Sequence, residues 1–98
     1  MRNLETSERF IYELNLILDF MVDKGDSQNA IKFHDEIYAR IENIPFMPFR
    51  FRKNDEANNE NIRELIYKGY KVQFHITTDK IEILGIYKTN LWSNKNQN

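Results

Sequence analysis

Residues 62–84, IRELIYKGYKVQFHITTDKIEIL, decide the fold because they contain three strand patterns in a row, separated by two turns. The first turn contains Lys68 and Gly69, and the second contains residues 78–80. Between the turns, residues 70–77 alternate apolar and polar side chains, which is the period-two pattern of a half-buried strand. The polar set is Lys71, Gln73, His75 and Thr77. The sequence therefore predicts an antiparallel sheet with a core on one face and this polar set on the other.

Two amphipathic segments precede these strands. Apolar residues recur at steps of three and four over residues 7–24, which predicts a helix. The same spacing over residues 30–44, after a cap at Asp26 or Ser27, predicts a second helix that Pro45 ends. Because few residues separate the two segments, we expect an antiparallel hairpin whose apolar stripes face the sheet.

Residues 45–60, PFMPFRFRKNDEANNE, break both periodic patterns. Two prolines followed by a polar run predict a long loop. Its first half is unusually apolar for a surface loop, so we expect part of it to lie against the core. The candidate partner-binding residues in this loop are Phe49, Arg50, Phe51 and Arg52. Attachment of the loop to the protein's own core is the alternative role for these side chains.

The last strand pattern, residues 81–87, is apolar on both faces and suits an inner strand. Further candidate partner-binding residues near its end are Tyr87, Lys88 and Trp92, and covering the sheet edge is the alternative role for the two aromatic side chains. Residues 2–5 form a possible short first strand. We predict one domain over residues 1–92 and a flexible polar tail over residues 93–98.

Composition excludes several classes of function. The chain has no cysteine and only two histidines, so neither a disulfide framework nor a metal site is predicted. Its three glycines suit a helix end, a hairpin turn and close strand packing, so no phosphate-binding loop and no cofactor are predicted. No apolar run approaches the length of a membrane span and no signal peptide is recognisable, so we expect a cytoplasmic protein without membrane contact.

Charge is unevenly distributed along the chain. The net charge is −1, but residues 1–45 hold five basic and nine acidic groups, whereas residues 46–98 hold nine and six. The two halves therefore carry −4 and +3. A chain with so little net charge is not expected to bind nucleic acid through bulk electrostatics.

The order of elements, joined to NIRELIYKGYKVQFHI (residues 61–76) and DKIEILGIYKTN (residues 79–90), resembles the RelE/ParE superfamily of toxins from bacterial type II toxin–antitoxin modules. The stretch FMPFRFRK (residues 46–53) adds to the resemblance, which covers nearly the whole chain. It implies an α+β fold, in which an N-terminal antiparallel α-hairpin packs on one face of a small, mainly antiparallel sheet of three to four strands. It also implies a growth-inhibiting toxin that a cognate antitoxin neutralises in a hetero-oligomer, with operator DNA bound only through the antitoxin.

The resemblance leaves three functions open. In the RelE-like branch, ribosome-dependent mRNA endonucleases carry their active groups on the open sheet face, and the candidate catalytic residues here are Lys71, His75 and Arg63. That branch typically has basic, His or Tyr groups after the last strand, where this chain has TNL at residues 89–91. The difference favours the ParE-like branch, whose members bind DNA gyrase without catalysis of their own. A non-toxic interaction or co-repressor subunit is the third possibility, and a plain solvated strand face is the alternative role for the polar set.

The aromatic content points to a protein partner. Seven Phe, five Tyr and one Trp are more than 98 residues are expected to bury fully. We therefore expect the antitoxin's C-terminal segment to bind as a helix or an added strand near residues 46–51, the strands or Trp92. The acidic first half and the more basic second half of the chain are expected to set its direction.

Overall fold

Two helices pack against one face of a five-stranded sheet, and the computed structural model describes this arrangement for residues 1–89. The helices are α1 (Glu8–Asp23) and α2 (Ser27–Glu42). The strands are β1 (Asn3–Thr6), β2 (Arg52–Lys53), β3 (Ile62–Tyr67), β4 (Tyr70–Ile76) and β5 (Lys80–Lys88). Their spatial order is β1-β5-β4-β3-β2, with β1 parallel to β5 and the other neighbours antiparallel. The predicted α+β fold, an α-hairpin on one face of a mainly antiparallel sheet, is confirmed.

The sheet has more strands than the three to four predicted. β1 lies where the sequence allows a short first strand, and it pairs with the first half of β5. β2 lies inside the segment predicted to be a loop, where Arg52 pairs with Glu64 and Lys53 with Arg63. This pairing depends on contacts with β3 and not on the strand propensity of an Arg-Lys pair, so local sequence did not indicate it. A short, charged edge strand also discourages pairing with other chains.

The rest of the predicted loop begins with two 3₁₀ turns, Ile44–Phe46 and Pro48–Arg50. Each turn has a proline in its first two positions. Ile44 and Pro48 are buried, in agreement with the expectation that part of this segment lies against the core.

Both helices begin at a side-chain cap, and the cap of α2, Asp26, is one of the two residues predicted for it. Ser7 Oγ accepts a hydrogen bond from Phe10 N at 3.0 Å, and Asp26 Oδ1 accepts one from Asn29 N at 3.3 Å. α2 ends at Glu42, two residues before the predicted end, because the chain turns into the first 3₁₀ turn there. Of the helices that the structure describes, none is long and apolar enough to cross a membrane.

The hairpin between β3 and β4 fixes which side chains reach the core. Its two turn residues both have positive φ, 49° at Lys68 and 82° at Gly69. Two consecutive residues in this region are typical of a type I′ turn, whose twist matches that of the flanking strands. In the resulting register, Arg63 lies opposite Phe74.

The core lies between the helices and the inner face of the sheet. Phe10 of α1 and Ile37 of α2 belong to one buried cluster with the inner side chains of β4, which are Val72, Phe74 and Ile76. These three alternate with the half-exposed polar set, as the sequence predicts. The helices cover only the inner face, so the polar set lies on the opposite, open face.

Where β1 ends, side chains from the α1 region complete the hydrogen bonding of β5. Ser7 Oγ donates to Leu84 O at 2.9 Å, and Glu13 Oε1 accepts from Ile86 N at 2.9 Å. Gly85 permits this approach, because a Cβ atom there would lie 2.6 Å from Glu13 Oε1. The helical layer is therefore tied to the sheet by polar as well as apolar contacts.

Replacing Lys68 by Asn should stabilise the protein by about 0.5–1 kcal/mol, because Asn tolerates positive φ better than Lys does. Gly69→Ala should instead destabilise it by about 1–2 kcal/mol, because a Cβ atom is strained at positive φ. Urea unfolding of both variants and the wild type measures the two changes. Effects of the same sign at the two neighbouring positions would contradict the assigned turn.

Candidate functional site

The open face of the sheet carries the two candidate catalytic residues of β4, each beside a carboxylate. Lys71 Nζ lies 3.7 Å from Glu64 Oε2, and His75 Nδ1 lies 3.3 Å from Glu82 Oε1. Lys71 and His75 are four residues apart in one strand, so their backbones are separated by about 13 Å. A cleft beside His75 does not include Lys71. Each group is engaged by its own carboxylate, and the described part of the open face does not unite them in one pocket.

Arg63, the third candidate catalytic residue, lies on the inner face, because neighbouring strand residues point to opposite faces and Arg63 precedes Glu64. Its Nε donates to Glu60 O at 2.7 Å, and its Nη1 donates to Phe51 O at 2.9 Å and to Phe49 O at 3.2 Å. The guanidinium carbon is 5.1 Å from the centroid of the Phe49 ring. Arg63 thus attaches the 49–51 segment to β3, and the structure does not bring it together with Lys71 and His75.

Glu64 is the buried centre of the open face, with only 3% of its surface exposed. Its carboxylate accepts a hydrogen bond from Asn54 Nδ2 at 3.0 Å. It also forms ion pairs with Arg52, whose Nε lies at 3.0 Å, and with Lys71. Asn54 is itself buried, and its Oδ1 accepts from the backbone N–H groups that follow it. A charged carboxylate is buried at acceptable free energy only with such partners. Glu64 therefore links β2, β3, β4 and the turn after β2.

Sequence reasoning did not single out Glu64. A Glu next to Arg63 in a strand whose other residues are apolar or aromatic was the available signal, but its partners come from two other strands and a turn. Local pattern alone does not show those pairings.

A second charged cluster joins β1, β4 and β5. Lys80 Nζ lies 3.2 Å from Glu82 Oε2 and 3.3 Å from Glu5 Oε1. Hydrogen bonds to Glu82 and then to Glu5 raise the pKa of Lys80. Hydrogen bonds from Lys80 and then from His75 lower the pKa of Glu82. The Glu82 contribution to stability is therefore present above the unfolded-state pKa of this carboxyl and is lost as pH falls through the lower folded-state pKa.

The segment that contains the two 3₁₀ turns exposes a set of side chains that we call the aromatic ledge, made of Phe46, Met47, Phe49 and Arg50. Its apolar members are 64%, 63% and 48% exposed in that order. Phe51 is not part of this surface, because its ring packs edge-on against Phe74 with the centroids 5.5 Å apart. Three of the four candidate partner-binding residues in the predicted loop, Phe49, Arg50 and Arg52, are thus exposed. Arg52 is exposed but is paired with Glu64.

The other candidate partner-binding residues lie at the end of β5. Tyr87 is half-buried, and Lys88 is exposed with its Nζ 5.7 Å from the centroid of the Tyr70 ring. Trp92 and the predicted tail at residues 93–98 lie outside the described residues, as do Asn90 and Leu91.

α1 exposes an apolar row that faces away from the core. Tyr12, Leu16 and Phe20 are spaced four residues apart, so they lie one above the other on the helix. Their exposed fractions are 65%, 51% and 60%. Acidic residues near the row in sequence are Glu8, Glu13, Asp19 and Asp23. Sequence reasoning missed this row because the stronger apolar stripe of the same helix was assigned to the core, although the spacing of four was there to find.

The family model described as ParE toxin of type II toxin-antitoxin system, parDE, matches residues 4–90. The chain belongs to this family. The resemblance to the RelE/ParE superfamily that the sequence motifs indicated is confirmed, and it is the ParE branch that matches.

The fold of this ParE-family chain is similar to that of a solved structure described as the chromosomal ParDE TA system from P. aeruginosa. The TM-score is 0.77 at 17% sequence identity, with 92% of this chain and 98% of the other covered. At this identity the likeness shows the fold alone. A sequence search of curated proteins finds no match.

The described surfaces of this ParE-family chain differ in the groups that they present. Among residues 1–89, no three His, Cys, Asp or Glu side chains come together as metal ligands. The open face instead presents cations already paired with carboxylates, whereas the ledge and the α1 row present exposed apolar groups.

Glu64→Ala should lower the free energy of unfolding by about 2–3 kcal/mol, because it leaves the Asn54 amide and two cations without their shared acceptor. The control is Glu82→Ala, which removes a carboxylate with 35% of its side chain exposed. That variant should stay close to the wild type, because exposed ion pairs contribute little. Denaturant unfolding compares the two, and equal losses would contradict the buried role of Glu64.

Proposed function

We propose that this chain arrests bacterial growth by binding DNA gyrase, and that a cognate antitoxin neutralises it in a toxin–antitoxin hetero-oligomer. Membership of the ParE toxin family supports the growth-inhibiting role. The observation that carries a binding mechanism is the division of the candidate catalytic groups between two faces, with Arg63 on the inner face and Lys71 and His75 on the open one. Cleavage of RNA needs a base, an acid and a cation around one phosphate. Because residues 1–89 contain no such convergent set, occupation of the target is the mechanism that we propose.

The alternative activity, ribosome-dependent mRNA cleavage, would use Lys71 and His75 on the described part of the open face. Carboxylates already pair with both groups at 3.7 and 3.3 Å. These carboxylates would repel an approaching phosphate, since like charges at short range oppose each other. The third possibility, a non-toxic co-repressor subunit, would leave growth and both targets unaffected.

The α1 row is the surface that we assign to the antitoxin. An exposed apolar row with four-residue spacing matches the way an amphipathic partner helix is bound, through anchors on one helical face. The first half of the chain carries nine acidic and five basic groups, so the complementary segment is apolar on one side and basic beside it. With a net charge of only −1, the toxin itself adds little affinity for operator DNA, which the antitoxin would contact.

Expression of the chain without its antitoxin should stop bacterial growth, and the purified protein should inhibit supercoiling by gyrase. Lys71→Ala and His75→Ala should both retain that inhibition, because neither residue acts chemically in this proposal. Supercoiling assays and measurement of mRNA cleavage in translating extracts distinguish the mechanisms. Loss of mRNA cleavage in both variants, with gyrase unaffected by the wild type, would favour the endonuclease. Normal growth with soluble protein present would contradict a toxin role.

Leu16→Lys should weaken binding of the antitoxin about tenfold or more while leaving growth arrest intact, because it places a cation in the centre of the apolar row facing a basic partner. The matched control is Ile31→Lys on α2, where the replaced side chain is 63% exposed. Titration of purified antitoxin against each variant measures the affinity. Equal affinities for the two variants would contradict the assignment of the row.

A further inference from the structure

We propose that the aromatic ledge, together with Arg2 and Arg63, is the surface through which this toxin holds its target, and that the target contributes an acidic protein segment with apolar anchors. The proposal rests on the proposed function, because it names the target-binding surface of the same toxin. It separates that surface from the α1 row assigned to the antitoxin.

The exposed members of the ledge are not needed to hold its backbone. Ile44 and Pro48 are buried, and Phe51 packs against Phe74, so the inner side chains already attach this segment to the core. Phe46 and Met47 extend outward between these anchors with nearly two thirds of their surface in water. Contiguous exposed apolar groups on a small protein are typical of a partner surface.

Hydrogen bonds hold the backbone of the ledge in its observed conformation. Phe46 N donates to Asn43 O at 3.3 Å and Arg50 N donates to Met47 O at 3.2 Å, which closes the two turns. Arg63 ties the carbonyls of residues 49 and 51 to β3. Binding of a partner here costs little conformational entropy in the backbone of the ledge, so the apolar contacts contribute more of their free energy to affinity.

Three guanidinium groups lie in or beside the ledge, those of Arg2, Arg50 and Arg63. Arg2 Nε donates to Thr77 O at 2.6 Å and its guanidinium carbon lies 5.7 Å from the centroid of Phe49. Arg50 lies 4.5 Å from the centroid of Phe51, and Arg63 bonds to carbonyls as described above. Within residues 1–89, no carboxylate forms an ion pair with any of the three. Carbonyls and aromatic rings orient these cations without neutralising them, so an acidic partner is complementary.

A cleft next to the ledge provides a place for an acidic side chain of the partner. It is lined by Arg2, Phe49, Asn61, His75 and Thr77, among others. A carboxylate placed there would meet the Arg2 guanidinium. The cleft therefore joins the ledge to the open face at the β4 end.

The occupant is a protein segment of the target, for two reasons of charge. The chain has a net charge of −1, which disfavours a nucleic acid held by phosphate contacts. A basic antitoxin segment that fits the acidic helical hairpin would carry the wrong sign for this surface. The two surfaces thus select partners of opposite charge.

Met47→Glu tests the proposal, because it puts a negative charge in the centre of a surface that binds an acidic segment. The concentration needed for half-inhibition of gyrase supercoiling should rise about tenfold or more. Met47→Lys should inhibit as well as the wild type or better. The control Ile31→Glu, at equal exposure on α2, should change nothing. Antitoxin affinity should be unchanged in all three variants, which also shows that each is folded.

Gyrase inhibition by Met47→Glu at the wild-type concentration would overturn the proposal. Loss of antitoxin binding by Met47→Glu would also overturn it, because the ledge would then belong to the antitoxin. A third contrary result is binding of the wild-type protein to DNA alone, if Met47→Glu abolishes that binding. A wild-type protein that does not inhibit gyrase would contradict the proposed function separately. In that case growth arrest by the variant tests the inference. We expect Met47→Glu to lose growth arrest, and retained arrest would overturn the inference.

Discussion

The pairing of β3 with β4 through the turn at Lys68 and Gly69 determines which side chains share a face, because strand residues alternate between faces. In this register Leu65 and Tyr67 point inward and are only 7% and 6% exposed. A slip of one residue would move both to the open face and bring Arg63 there with them. The burial of those two side chains therefore also keeps Arg63 away from Lys71. The hydrophobic core, and not the chemistry of the polar residues, decides that the candidate catalytic groups are divided.

Once Arg63 is on the inner face, it takes a structural role in attaching the aromatic ledge to β3. It donates hydrogen bonds to the backbone of the segment after α2 and lies against the Phe49 ring. The same register places Glu64 on the open face, where it receives Arg52 and Asn54 and holds β2 against β3. Arg63 and Glu64 are adjacent in sequence and point to opposite faces of the sheet. They therefore attach the connection between α2 and β3 from its two sides. The first part of that connection forms the aromatic ledge.

Much of this architecture could be predicted from the sequence, because both helices and β4 follow clear periodic patterns and two turns separate β4 from the strand patterns on either side. β2 could not be predicted, since Arg-Lys has no strand signal and pairs only when β3 is already in place. The face on which Arg63 lies could not be predicted either. Each face of β3 carries two apolar residues, so the local pattern allows either face to point toward the core. Only pairing with Phe74 resolves it.

For the candidate sites, too, local sequence indicates some of the residues, whereas others become recognisable only from contacts between distant segments. Phe49 and Arg50 were identified from an apolar, cationic stretch, and the structure exposes both. The α1 row was overlooked because a helix can carry two apolar stripes, and composition does not tell which one meets the sheet. Glu64 was overlooked because its significance comes from burial, which arises only when three strands and a turn meet.

The central claim is that the toxin binds its antitoxin and its target through separate surfaces of opposite charge. Hydrogen exchange of the free chain, of its antitoxin complex and of its gyrase complex tests this most directly. Antitoxin should slow hydrogen exchange in α1 around Leu16, whereas gyrase should slow it in residues 44–53 around the aromatic ledge. Protection of the same segment by both partners, or protection by gyrase confined to the open face around Lys71 and His75, would contradict it.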